Sequence, residues 1–262
     1  MNKKKILNMT LFAVFASISV VLGLVPNLGY INLGFGSITI VHIPVLIGVM
    51  FLPLSYSLAL GLVFGLTSLL ASFIYASNPF DYAFQNPLIS VLPRVLFALA
   101  AYYIFHGFKR IFGKLKNGNY YSFIVISVVT ILFLFFTSRG IHQVTGWDLN
   151  IIYIVASLFL ILLHILYYYF LMQEKYQNLA YIPSVFITAS LVHSFIVLTL
   201  VGLIKPTALG GGDVFGTILT LMSSFSLFEA LIAVLIGSPI VVALYNIKEN
   251  EGKNNDIDVW CW

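Results

Sequence analysis

The chain has 262 residues, of which 60% are hydrophobic and 8% charged, with a mean hydropathy of +1.01. Ordinary soluble domains are roughly 25% charged, so this composition excludes a soluble enzyme or binding module and points to an integral membrane protein. The net charge of +4 is carried by segments flanking the apolar runs, where it acts as a topology signal and implies no nucleic-acid partner.

Apolar runs of about 20 residues cross a bilayer as helices. In chain order the runs cover 6 to 25, 40 to 54, 57 to 76, 87 to 107, 121 to 137, 150 to 171, 181 to 204 and 215 to 245. They are continuously apolar rather than alternating, which sets a β-barrel aside. The expected fold class is all-α, a polytopic membrane bundle of about 8 transmembrane helices. Lys3, Lys4, Lys5, Lys109, Arg110, Lys114, Lys116, Lys175, Lys248 and Lys253 fall on one side of it. Arg139 and Lys205 face the other side and Arg94 lies within the membrane, so both termini are expected in the cytoplasm.

The first run follows a basic start, as in a signal peptide, but no A-x-A-like cleavage site lies near "GLVPNLG". It reads as a retained helix. Ala13 and Ser17 on this run, and Gly61 and Gly65 on the third, place small residues four apart. Such pairs allow close helix approach, within the bundle or to a partner subunit. Between the first two runs, "PNLGYINLGFGSITIVHIP" alternates around Ile31, Leu33 and Phe35 and is expected to form an extended flap. His42 follows it, at the outer start of the second run, within reach of a cavity or as a satisfied interface residue.

The loop "ASNPFDYAFQNP" holds turn formers and three aromatics, with Asn78 among its polar candidates. It leads into "NPLISVLPR", Asn86 to Arg94. Asn86 before Pro87 is a good helix start, because Asn accepts from free N–H groups and Pro suits the first helical position. Arg94 then lies about 12 Å further in, at 1.5 Å per residue. Pro93 cannot donate to the Ile89 carbonyl, so a kink and a free acceptor are expected beside the arginine. With Ser90, these groups form an outward-facing spot suited to a carboxylate or phosphate. Arg94 either contacts a ligand there or pairs internally with Asp81, Glu229 or a backbone carbonyl.

The fifth and sixth runs are more uniformly apolar and fit lipid-facing helices, with His164 packed and "YYYF" as an interfacial aromatic belt. His193, beside Ser194 on the seventh run, is a further ligand candidate or a packed donor. The loop "KPTALGGGDVFG" contains three consecutive glycines, and the three outer loops together suggest a lidded cavity. Glu229 is expected inside the last helix as a structural polar partner to another helix, with ligand or proton binding as its alternative. Residues 247 to 262 read as a disordered cytoplasmic tail holding the single cysteine, Cys261. No disulfide or thiolate metal site is therefore available.

Catalytic signatures are missing from the sequence. Gly211 to Gly216 has the outer spacing of a P-loop, but Thr217 stands where the lysine belongs. Neither H-E-x-x-H nor G-x-S-x-G occurs, and the five histidines are dispersed. No enzyme activity, metal or cofactor is expected.

"TIVHIPVLIGVMFLP", "LGLVFGLTSLLAS", "NPLISVLPR" and "FEALIAVLIGSPIVVAL", in that order, resemble the substrate-binding S components of energy-coupling factor (ECF) vitamin transporters, in the branch that binds pantothenate, folate and cobalamin. The resemblance covers residues 5 to 110 and 180 to 246 and implies a six-helix core with an inserted helix pair at about 120 to 172. It implies capture of a vitamin under outer loops 26 to 41, 76 to 87 and 204 to 215 of a bacterial cytoplasmic-membrane protein. It also implies association with a T subunit and two ATPases, and toppling in the bilayer to release the cargo inside. The family's first-helix Ala-x-x-x-Ala docking motif corresponds here to Ala13-x-x-x-Ser17. Pantothenate, with one carboxylate for one buried arginine, is the favoured ligand, and Arg94, Asn86, Ser90, His42, Asn78 and His193 are its expected contacts. A stand-alone proton-coupled carrier using Glu229 is the alternative, followed by a membrane-embedded enzyme.

Overall fold

The computed structural model describes residues 3–32, 37–112, 117–172, 179–210, 212–222 and 226–254. Helix α1 (Lys3–Leu24) buries Phe15, Ser19 and Gly23, a stripe repeating every four residues, and leaves Ala13 and Ser17 exposed. A hairpin follows. Strand β1 (Tyr30–Asn32) pairs antiparallel with β2 (Ser37–Thr39), with Tyr30 opposite Thr39. The extended flap is thus present, and its expected glycine-rich tip at 33–36 lies outside the described residues.

Helix α2 (His42–Phe51) is buried along its whole length. Its ten residues reach about 15 Å, half the hydrocarbon core, at 1.5 Å per residue. The run expected to cross over 40 to 54 stops early because Pro53 forces Leu52 into an extended conformation (φ −111°, ψ 148°). Helix α3 (Leu54–Tyr75) begins directly after that proline.

Two short helices, α4 (Pro79–Ala83) and α5 (Pro87–Ser90), precede α6 (Leu92–Phe112). Each short helix starts as Asn-Pro does by its chemistry: Asn78 Oδ1 accepts from the Asp81 amide at 2.9 Å and Asn86 Oδ1 from the Leu88 amide at 3.0 Å. The kink expected around Pro93 is a break at Val91 between α5 and α6. Glycines fit α3 against this break. A Cβ at Gly61 would stand 2.7 Å from the Arg94 carbonyl oxygen, and one at Gly65 2.7 Å from Val91 Cα. These two glycines therefore serve packing within the bundle.

Helices α7 (Gly118–Thr145) and α8 (Leu149–Met172) pack chiefly on each other. Gly146, at φ +70°, ends α7 by donating its amide to the His142 carbonyl at 2.9 Å. The pair meets α9 (Ile182–Ile204) through Ser122, 2.7 Å from Ser184 between hydroxyls, while the Tyr167 hydroxyl donates to the Ala180 carbonyl. A 3-10 turn (Pro206–Leu209) leads to α10 (Val214–Leu221), capped by Asp213, and then to α11 (Leu227–Asn254).

The last expected span, 215 to 245, takes in α10 and α11, with Ser226 helical directly ahead of α11 and Glu229 the third residue of that helix. Residues 247 to 254, expected in the disordered tail, are the end of α11; the remainder with Cys261 lies outside the described residues. Among the described residues, six helical units are long and apolar enough to cross a membrane: α1, α3, α5–α6, α8, α9 and α11. Helix α2 and the Tyr120–Ile131 stretch of α7 are shorter apolar segments. The fold is an all-α polytopic membrane bundle. Its core forms where α1, α3, α6, α9 and α11 pack around the buried α2.

Candidate functional site

A cavity of about 570 Å³ lies between the hairpin, α3, α4, α6, α9 and the start of α11. That volume falls in the usual range for small-molecule sites. Its lining mixes apolar residues with polar ones, among them Tyr30, Thr39, Ser68, Ser72, Asp81, Arg94, His193, Ser194 and Glu229.

Arg94 is 4% exposed. Its Nη1 donates to the Ile89 carbonyl at 2.8 Å, the acceptor that Pro93 leaves without an amide donor. Its guanidinium carbon lies 4.7 Å from the Phe84 ring centre and 5.6 Å from that of Phe64, within cation–π range. Nε is buried with no hydrogen-bond partner. Among the described residues Arg94 makes no ion pair with Asp81 or Glu229. Of the internal partners considered for it, the backbone carbonyl is the one found, and the side chain still lines the cavity.

Glu229 is held on two sides. Oε1 accepts from the Thr39 amide on β2 at 2.7 Å, and Oε2 accepts from the Ser194 hydroxyl on α9 at 3.1 Å. One carboxylate thus ties the flap and two helices together on the cavity wall. On the flap, burial raises the Tyr30 phenol above its ordinary pKa, and the Arg94 charge only partly opposes this. Tyr30 therefore stays a neutral hydroxyl on the wall.

His193, midway along α9, is 3% exposed and stacks on His42 with ring centres 5.4 Å apart and planes 12° from parallel. Both of its ring nitrogens are buried without a partner. His42 is fully buried, its Nε2 3.0 Å from the Ser190 hydroxyl, and lies behind the wall.

Of the residues expected to touch ligand, the structure brings Arg94 and His193 to the cavity. Asn86, Ser90, His42 and Asn78 lie off its wall. Asn86 and Asn78 cap α5 and α4, and the buried Ser90 hydroxyl donates to the Phe84 carbonyl. The capped start of α5 is therefore not part of the cavity. Sequence reasoning missed Tyr30, Thr39, Ser68 and Ser72 as wall residues. Ser68 and Ser72, four apart in an apolar helix, were the readable sign of a polar face on α3.

The family described as ECF transporter, substrate-specific component, matches residues 7–147. The chain belongs to that family. As a substrate-specific component it is a multi-pass subunit of a transporter, from a family of transporter components rather than of enzymes. The matched stretch runs from α1 through α7, the first helix of the pair expected as an insertion, and ends before α8. Comparison with curated proteins gave no match for this S component.

Proposed function

We propose that this S component captures a small, singly anionic water-soluble vitamin, pantothenate foremost, for an ATP-driven importer built with a T subunit and two ATPases in a bacterial cytoplasmic membrane. The observation that carries this is Arg94: a buried guanidinium on the wall of a 570 Å³ cavity that makes no ion pair among the described residues, with the Glu229 carboxylate acting on it only at longer range and Nε without a partner. A charge so placed needs a counterion, and a ligand carboxylate supplies one through charge-assisted hydrogen bonds. Glu229 on the same wall disfavours a second ligand carboxylate, which ranks pantothenate above folate. The cavity is small for cobalamin.

Support for the alternative carrier is weaker. Both Glu229 oxygens are occupied by protein donors, as suits a brace more than a proton relay. Helices α7 and α8, whose described residues line none of the cavity, serve as the added pair flanking the six-helix core of residues 5 to 110 and 180 to 246. Ala13 and Ser17, exposed on α1, form the docking face for the T subunit.

The experiment is titration of the purified protein with pantothenate before and after Arg94→Ala. Affinity falls by about 1.5 to 3 kcal/mol on loss of a charge-assisted hydrogen bond. Unchanged affinity in a folded variant removes the anion-binding role of Arg94. Uptake by the lone protein on a proton gradient, without the ATPases, would favour the carrier.

A further inference from the structure

We infer that His193 is a specificity-determining residue of the cavity: it reads a hydroxyl group of the ligand, while Arg94 takes the carboxylate. This rests on the proposed capture of an anionic vitamin and narrows it to an acid that also carries a hydroxyl.

The geometry separates what holds the imidazole from what it offers. Its ring is held by aromatic neighbours: His42 stacked at 5.4 Å, Phe97 at 4.7 Å and Phe64 at 5.6 Å between ring centres. These contacts fix where the ring sits and satisfy neither nitrogen. Nδ1 and Nε2 are both buried and unpartnered, although the ring borders the cavity. A neutral imidazole presents one N–H donor and one bare acceptor. Buried groups of that kind are ordinarily paired, so a donor and acceptor left unpaired in a ring beside the cavity are matched once a ligand enters and the ring adjusts to it.

His42 makes the contrast. It shares the stack, but it does not reach the wall; its Nε2 is engaged with Ser190 and its Nδ1 is buried without a partner, so it positions His193. Ser194, the next residue on α9, already donates to Glu229. His193 is therefore the neutral side chain of α9 left to recognise the ligand. A site whose buried polar groups expect a partner rejects an analogue lacking it far more strongly than an apolar pocket rejects an extra methylene.

The test uses the full-length protein in detergent, with calorimetric titration of pantothenate and of a pantothenate analogue lacking both hydroxyls. Wild type is compared with His193→Phe, which keeps the ring packing, and His193→Asn, which restores a donor and an acceptor. The inference expects His193→Phe to weaken pantothenate binding about tenfold or more and His193→Asn to recover part of the loss. It also expects His193→Phe to leave the affinity for the dihydroxyl-free analogue nearly unchanged, so that the loss belongs to the removed contact. Equal losses for the two ligands, or no loss in a folded His193→Phe protein, overturn the role of His193 while leaving the Arg94 reading in place.

Should pantothenate fail to bind wild type, the small molecule that co-purifies with the protein is identified by mass spectrometry. A carboxylic acid with a hydroxyl sustains the inference, and an acid without one overturns it alone. A ligand without an acid group, or no co-purified ligand at all, overturns both readings.

Discussion

Pro93 and Arg94 act as a unit. Proline removes the amide that would have satisfied the Ile89 carbonyl, and the neighbouring guanidinium takes that acceptor at 2.8 Å. The bond fixes one end of the fork, and the rings of Phe84 and Phe64 brace its face. Pro93→Ala returns an amide donor that competes for the same carbonyl. Pantothenate affinity should then drop about three- to tenfold, the worth of one hydrogen bond's positioning, while the melting temperature holds or rises as the break at Val91 loses its proline. Calorimetric titration beside a thermal melt checks both, and unchanged affinity would show that the proline does not aim the arginine. The sequence makes Pro93, Arg94 and the freed carbonyl conspicuous, because a charge and a breaker stand out in an apolar run. It does not show the direction of the side chain. A carbonyl freed by proline is open to a solute by sequence, whereas the arginine folds back and occupies it. Thr39 is harder still, since one small hydroxyl in an apolar segment is equally at home bonded to its own backbone.

At the scale of elements, Glu229 links three that are distant in the chain. Its carboxylate receives the Thr39 amide of β2 and the Ser194 hydroxyl of α9 from the first turn of α11. The flap is otherwise tied by its own short ladder and by the Ile40 amide bonding to the Gly29 carbonyl at 2.9 Å. Glu229→Ala removes a hydrogen bond to a charged acceptor, worth about 1.5 to 3 kcal/mol. Local opening of the flap should become about ten- to a hundredfold more frequent, read as faster deuterium exchange at the Thr39 amide. Exchange in the core of α3 should stay unchanged, and an unaltered rate at Thr39 would mean that the ladder alone holds the flap. The flap was legible because alternation with glycines has few other solutions. The position of Glu229 was not: apolar residues continue on both sides of the serines near 223 to 226, so hydropathy merged α10 and α11 into one span. The ends of α2 were blurred in the same way, although Pro53 marked one of them.

The whole molecule divides its surface between the bilayer and a partner. Helix α1 spends its buried stripe, Phe15, Ser19 and Gly23, on the bundle and turns Ala13 and Ser17 outward beside the exposed Val14, Ile18 and Val21. In lipid, apolar area alone gives helices no reason to associate, so a face where small side chains let another backbone approach is where association gains most. Neither Ala13 nor Ser17 borders the cavity, and the Ser17 hydroxyl is satisfied by the Ala13 carbonyl at 2.7 Å, so the face is smooth as well as small. Ala13→Trp together with Ser17→Trp should abolish co-purification with the T subunit and its ATPases, and with it uptake. Pantothenate binding by the isolated protein should remain within about twofold, which also certifies the fold. Ile165→Trp, at a position 59% exposed on α8, is the control for bulk added to a lipid-facing surface and should leave assembly intact. Assembly that survives the double tryptophan would move the docking face off α1. Assembly lost equally with Ile165→Trp would give the α7–α8 pair a share in it, and so a function for helices that contribute nothing to the cavity.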